Sequence, residues 1–199
     1  MTDTTNKPAS SSLFVNLFED AGKSLYSSAN MRKGVMDGDL NLIKEAIKYG
    51  GNIIDDTPTD TSYILLAARE KQWHVVDYLI DEKADLNKSN RYGWSLLHEM
   101  CKNAEIPLIK KVITSGGYLN AKDEWGDSPL MIAIKAKREN LIDYLIGIEN
   151  INLESKDSEN RTTLHIAAEM GDHDTFIKLW QRGVMLDLVD SHGKTAIDY

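Results

Sequence analysis

Five short stretches of this chain are imperfect copies of one another. They are Ser62-Tyr-Ile-Leu-Leu-Ala-Ala68, Ser95-Leu-Leu-His-Glu-Met-Cys101, Ser128-Pro-Leu-Met-Ile-Ala-Ile134, Thr162-Thr-Leu-His-Ile-Ala-Ala168 and a cut-off Thr195-Ala-Ile-Asp-Tyr199. Their leading Ser or Thr residues stand at 62, 95, 128, 162 and 195, steps of 33, 33, 34 and 33. A fixed period of this length means stacked units, each too small to bury its apolar face without a neighbour.

A period of 33 around a Thr-Pro-Leu-His-x-Ala core resembles the ankyrin repeat, one turn and two helices per unit. The resemblance covers 29–199 and implies an all-α helical repeat solenoid joined by short β-hairpin turns. It also implies a protein-binding module without catalysis, whose partners meet the hairpin tips and the exposed face of each unit's first helix. A fold alone does not fix a function.

Taken in order, residues 1–12 are polar and read as a disordered tail. Leu13, Phe14, Leu17, Phe18, Ala21 and Leu25 recur at helical spacing, so 13–28 is expected to be an amphipathic helix capping the repeats, with docking to another protein as the alternative. Residues 29–56 form a degenerate first unit, with Gly38-Asp39-Leu40 between its helices and Gly50 at a left-handed helix stop. Full units follow at 57–89, 90–122, 123–156 and 157–189, and 190–199 begins a truncated one. The first full unit lacks Gly at three habitual places (Asp60, Lys71 and Lys83), so strain is expected there. The extra residue in 123–156 belongs in the loop near Glu149-Asn150-Ile151, where insertion costs little.

The tips are set by the turn glycine. Thr59, Tyr92, Trp125, Glu159 and His192 precede it, and Thr61, Trp94, Asp127, Arg161 and Lys194 follow it. Three large aromatics, Tyr92, Trp94 and Trp125, are thus expected on two adjacent tips, as a binding patch. The inner-helix residues Arg69, Glu70, Lys102, Asn103, Lys135, Ala136, Glu169 and Met170 continue that surface.

Other residues invite an enzymatic reading and do not sustain it. His98 and His165 recur with the repeat, without metal-ligand spacing, and the resemblance gives their rings to backbone around the turn. Cys101 takes the place of a small buried Ala, a poor setting for a nucleophile. Asp123, Asp157 and Asp190 open successive units and should cap turns. No phosphate-cradling loop, zinc cluster or nucleophile elbow is present, so no enzyme, metal or cofactor is expected.

The formal charge of -8 speaks against a nucleic-acid partner. The charge is uneven: residues 90–122 hold five Lys/Arg against two acids, 123–156 four against seven, and 157–189 three against six. A partner with a basic or mixed-charge surface is therefore expected. The polar start, the lone Cys101 and the short apolar runs lead to the expectation of a cytoplasmic protein off the membrane. The leading reading is a monomer that inhibits, neutralises or adapts a partner. The alternative is an architectural protein that self-assembles through the tip aromatics and the 13–28 helix.

Overall fold

The computed structural model describes residues 27–53 and 61–199. Its compact units meet in sequence at Ile53 and Ile54. The expected helix over 13–28 lies outside the described residues except for its last two positions, as do Thr59, Asp60 and the tail.

Among the described residues the first unit is a helix pair. Residues 27–37 are helical (α1), and α2 follows over Leu40–Lys48. The side chain of Asp39 caps α2 by accepting from the backbone N–H of Asn41 and Leu42, as a residue of this type does at a helix start. The two helices touch at Gly34, where an added Cβ would come within 2.8 Å of the Ile43 side chain. Met31, Val35, Ile43 and Ala46 are buried. Gly50 ends α2 at φ 91°, the left-handed stop its sequence position implies.

The second unit repeats one pattern four times. The pairs are α3 (Tyr63–Arg69) with α4 (Trp73–Asp81), α5 (Leu96–Asn103) with α6 (Ile106–Thr114), α7 (Pro129–Lys135) with α8 (Glu139–Ile146), and α9 (Thr163–Glu169) with α10 (His173–Gln181). A 3-10 turn over Ala196–Asp198 begins the next copy against α9. The recurring Ser or Thr caps each first helix; Ser62 and Ser128, for example, accept from Leu65 and Met131 N–H. Pro129 sits at the start of α7, where its missing N–H leaves no bond unmade.

The inner helices α3, α5, α7 and α9 pack side by side, each with its own outer partner behind it. Ala67 and Ala68 are fully buried, as close helix approach requires. Leu65, Leu97, Leu130 and Leu164 form the inner core, and Val76, Ile109, Ile142 and Leu179 the outer one. Ile113, on the outer helix α6, is only half-buried.

Lys71 and Lys83 do adopt left-handed φ values, 57° and 65°, and Asn160 follows at 60°. Lys137, at φ 54°, is a further case in the unit after next. Such residues carry a cost that Gly avoids. The added residue near Glu149–Ile151 lies in the loop after α8.

Candidate functional site

Each of the four described tips from Asn90 onward is built around one carboxylate or amide. Oδ1 of Asn90 accepts from the backbone N–H of Tyr92 and Trp94. Asp123 does the same for Trp125 and Asp127, Asp157 for Glu159 and Arg161, and Asp190 for His192 and Lys194. These Asx bonds close the turn that the aspartates mark in the sequence. Backbone bonds then lace tip to tip: Glu124 N–H to the Tyr92 carbonyl, Ser158 N–H to Trp125, and Ser191 N–H to Glu159. Among the described residues only Val189 and Thr195 pair as a β-bridge, so the hairpins are turns without extended strands.

Tyr92 and Trp125 stand out from this frame, 44% and 53% exposed. Their rings stack at 6.5 Å and 25° across adjacent tips, and the Arg91 guanidinium lies 5.3 Å from the Tyr92 ring centre. The two aromatics and one cation make a continuous layered patch.

Trp94 departs from the expected trio. It turns inward, with its indole N–H donating to Glu99 at 2.9 Å and its ring 5.2 Å from His98. Asp127, also expected at the surface, is only 7% exposed and holds the Lys135 ammonium at 2.6 Å. Arg161 is likewise drawn back, onto Asp157, Glu159 and Glu169. The left-handed residue between the two positions (Gly93 at φ 69°, Gly126 at φ 77°, Asn160 at φ 60°) breaks strand alternation, so the side chains before and after it leave in different directions.

A tie follows that spacing alone does not reveal. Trp94 stacks on the Lys102 ammonium at 5.5 Å, Asp127 pairs with Lys135, and Arg161 pairs with Glu169 at 3.0 Å. In these three units, the residue after the left-handed turn position thus grips the inner helix eight positions on. Finger and helix become one rigid piece. Of the remaining expected contacts, Arg69, Glu70, Lys102, Asn103, Ala136, Glu159, Glu169, His192 and Lys194 are exposed, while Lys135, Met170 and Thr61 are half-buried.

The tempting catalytic residues have structural work. His98 accepts the Ser95 N–H at Nδ1 and donates from Nε2 to the Asp127 carbonyl, 3.0 Å away on the next tip. His165 repeats this with Thr162 and Lys194. Burial holds the pKa of His98 below its ordinary value. Cys101 is fully buried, and that burial pushes its thiol up to about 12. A thiol so placed is not a nucleophile. Among the described residues no cluster of His, Cys, Asp or Glu could hold a metal, and no helix is long and apolar enough to cross a membrane.

The family model for ankyrin repeats, in three copies, matches residues 97–190. Over these residues the chain belongs to the ankyrin repeat family. Over 150 residues it is 29% identical to the probable 26S proteasome regulatory subunit p28 of Saccharomyces cerevisiae, covering 73% of this chain and 66% of that one. It is 24% identical over 166 residues to the putative ankyrin repeat protein YahD of Escherichia coli, covering 81% and 83%. It is also 26% identical over 144 residues to human Rabankyrin-5, covering 66% of this chain but only 12% of that protein. Ankyrin repeats are generic protein–protein interaction modules and are generally not enzymes.

Proposed function

We propose that this protein binds a partner protein through the stacked tips of Tyr92 and Trp125 together with the neighbouring inner-helix face. It acts by occupying the partner's surface, as an inhibitor, neutraliser or adaptor. The observation that carries the reading is the exposed Tyr92–Trp125 stack on two tips that Asx bonds and finger-to-helix ties hold still. Large rings kept in water without a structural duty are the residues that dominate binding energies at protein interfaces. Pre-organised tips lose little entropy on binding. The lone buried Cys101 fits a reducing, cytoplasmic setting.

The test is an affinity capture with the intact protein beside a Tyr92→Ala/Trp125→Ala variant. Specific retention by the first and loss from the second supports the reading. Equal retention by both removes this surface from it. The self-assembly alternative uses the tip aromatics and the 13–28 helix, and the exposed Ile177, Trp180, Met185 and Ile197 offer it further apolar surface. Light scattering over a range of concentrations separates the two: growth of mass with concentration favours assembly, and a constant monomer disfavours it.

A further inference from the structure

Arg69, Lys102 and Lys135 occupy the same position in three successive inner helices, α3, α5 and α7, at steps of 33 residues. Those helices are neighbours in order, and packed helices lie about 8–10 Å apart. The three cations therefore form a column, one per unit. The next member, on α9, is Glu169, so the sign reverses at the fourth step. Lys71 and Lys137 add exposed positive charge beside the column.

Of the carboxylates near these cations, Glu99 on α5 and Asp123 and Asp127 in the tips are buried, and Glu70 beside Arg69 is exposed. Lys102 leaves 47% of its side chain exposed while spanning 3.9 Å to Glu99, and an ammonium group with three donors keeps some for a second acceptor. In a chain of net charge -8, Arg69, Lys71, Lys102 and Lys137 stand exposed on or beside this face, against the exposed carboxylates Glu70 and Glu169.

We propose that this face takes an extended acidic segment of the partner protein, laid across the units. Its carboxylates sit at every third residue over Arg69, Lys102 and Lys135, followed by a basic residue at Glu169 and flanked by an apolar side chain against Tyr92 and Trp125. An extended chain advances about 3.3 Å per residue, so three residues match one helix spacing. The charge order fixes both the occupant and its register, since like charges in the wrong register are repelled. The inference rests on the reading of this face as a protein-binding surface.

The test selects random displayed segments of about 16 residues, long enough to cross the four inner helices when extended, against the full-length protein. The expected winners carry acids three apart, then a base, and one aromatic or aliphatic anchor. Their binding weakens roughly tenfold or more with Arg69→Glu/Lys102→Glu, and again with Tyr92→Ala/Trp125→Ala, and falls as salt rises. Circular dichroism confirms that the reversal variant folds; if it does not, Arg69→Gln/Lys102→Gln takes its place. Winners that need Tyr92 and Trp125 but ignore the charge change overturn this inference and leave the binding surface standing. Winners indifferent to both variants, or no winners at all, overturn both. Oligothymidylate bound as tightly as the winners, and lost on charge reversal, overturns the choice of a protein occupant.

Discussion

Asp123 shows how one residue can be both necessary and costly. Its Oδ1 closes the turn that carries Trp125, yet its buried Oδ2 has no hydrogen-bond partner. The equivalent oxygen is held by Arg161 in Asp157 and by the Tyr199 hydroxyl in Asp190. At the next tip position Asp123 has Asp127 where Asp157 has Arg161, and that carboxylate is committed to Lys135. Burial foremost, with the Asp127 charge adding to it, raises the Asp123 pKa above the ordinary carboxylate value, against the pull of its backbone hydrogen bonds. The folded state then binds a proton more readily than the unfolded one, so this residue's contribution weakens as pH rises from about 4 through the raised pKa. His98 acts in the opposite sense. Its lowered pKa makes the unfolded state the better proton acceptor, so its contribution is present above about pH 6.5 and is lost as pH falls below that. Asn90 does the same turn-closing job as an amide, and Asp123→Asn should therefore stabilise the protein by about 1 kcal/mol at neutral pH. Urea unfolding at pH 7 and pH 4 checks this; the gain should shrink at the lower pH. A loss of stability at pH 7 would mean that the charged carboxylate has a partner after all.

Between elements, the contacts follow the repeat closely enough that one substitution stands for many. Leu164 is fully buried at the heart of α9, and Leu164→Ala should cost about 2–5 kcal/mol in chemical unfolding while leaving the tips' chemistry intact. Arg138 has a different role that periodicity hides. The backbone after α5 does not turn left-handed as its counterparts do, and Arg138 from the next unit donates to the carbonyls of Met100, Cys101 and Ala104 at that helix end. Arg138→Ala leaves those groups short of donors and should cost about 1–3 kcal/mol, read from the urea midpoint. An unchanged midpoint would show that water replaces the guanidinium without loss. The turn aspartates and the left-handed Gly50, Lys71 and Lys83 were legible because each depends on its immediate neighbours in sequence. The inward turn of Trp94, the ties to Lys102, Lys135 and Glu169, and the reach of Arg138 were not. They depend on how a finger folds over its helix and on what the next unit brings, and residue type does not encode that direction.

For the whole molecule, function divides between a repeated frame and a few positions that the frame leaves free. Ser, Thr, His, Asp and Leu recur at the step of the repeat and are consumed in caps, turns and core. Tyr92, Trp125, Arg69 and Lys102 recur only in part and remain exposed, which is why they bear the reading of a binding surface. The exposed Ile177, Trp180 and Ile197 mark a second apolar region in the last unit, where no further helix follows among the described residues. The central claim is that the stacked rings belong to the surface and not to the core. Urea unfolding of Tyr92→Ala/Trp125→Ala, with partner affinity measured on the same preparation, tests it most directly. The account predicts stability within about 1 kcal/mol of the parent and binding weaker by about 2 kcal/mol or more. A loss near the 3–5 kcal/mol typical of deleted core aromatics, with binding unchanged, would contradict it.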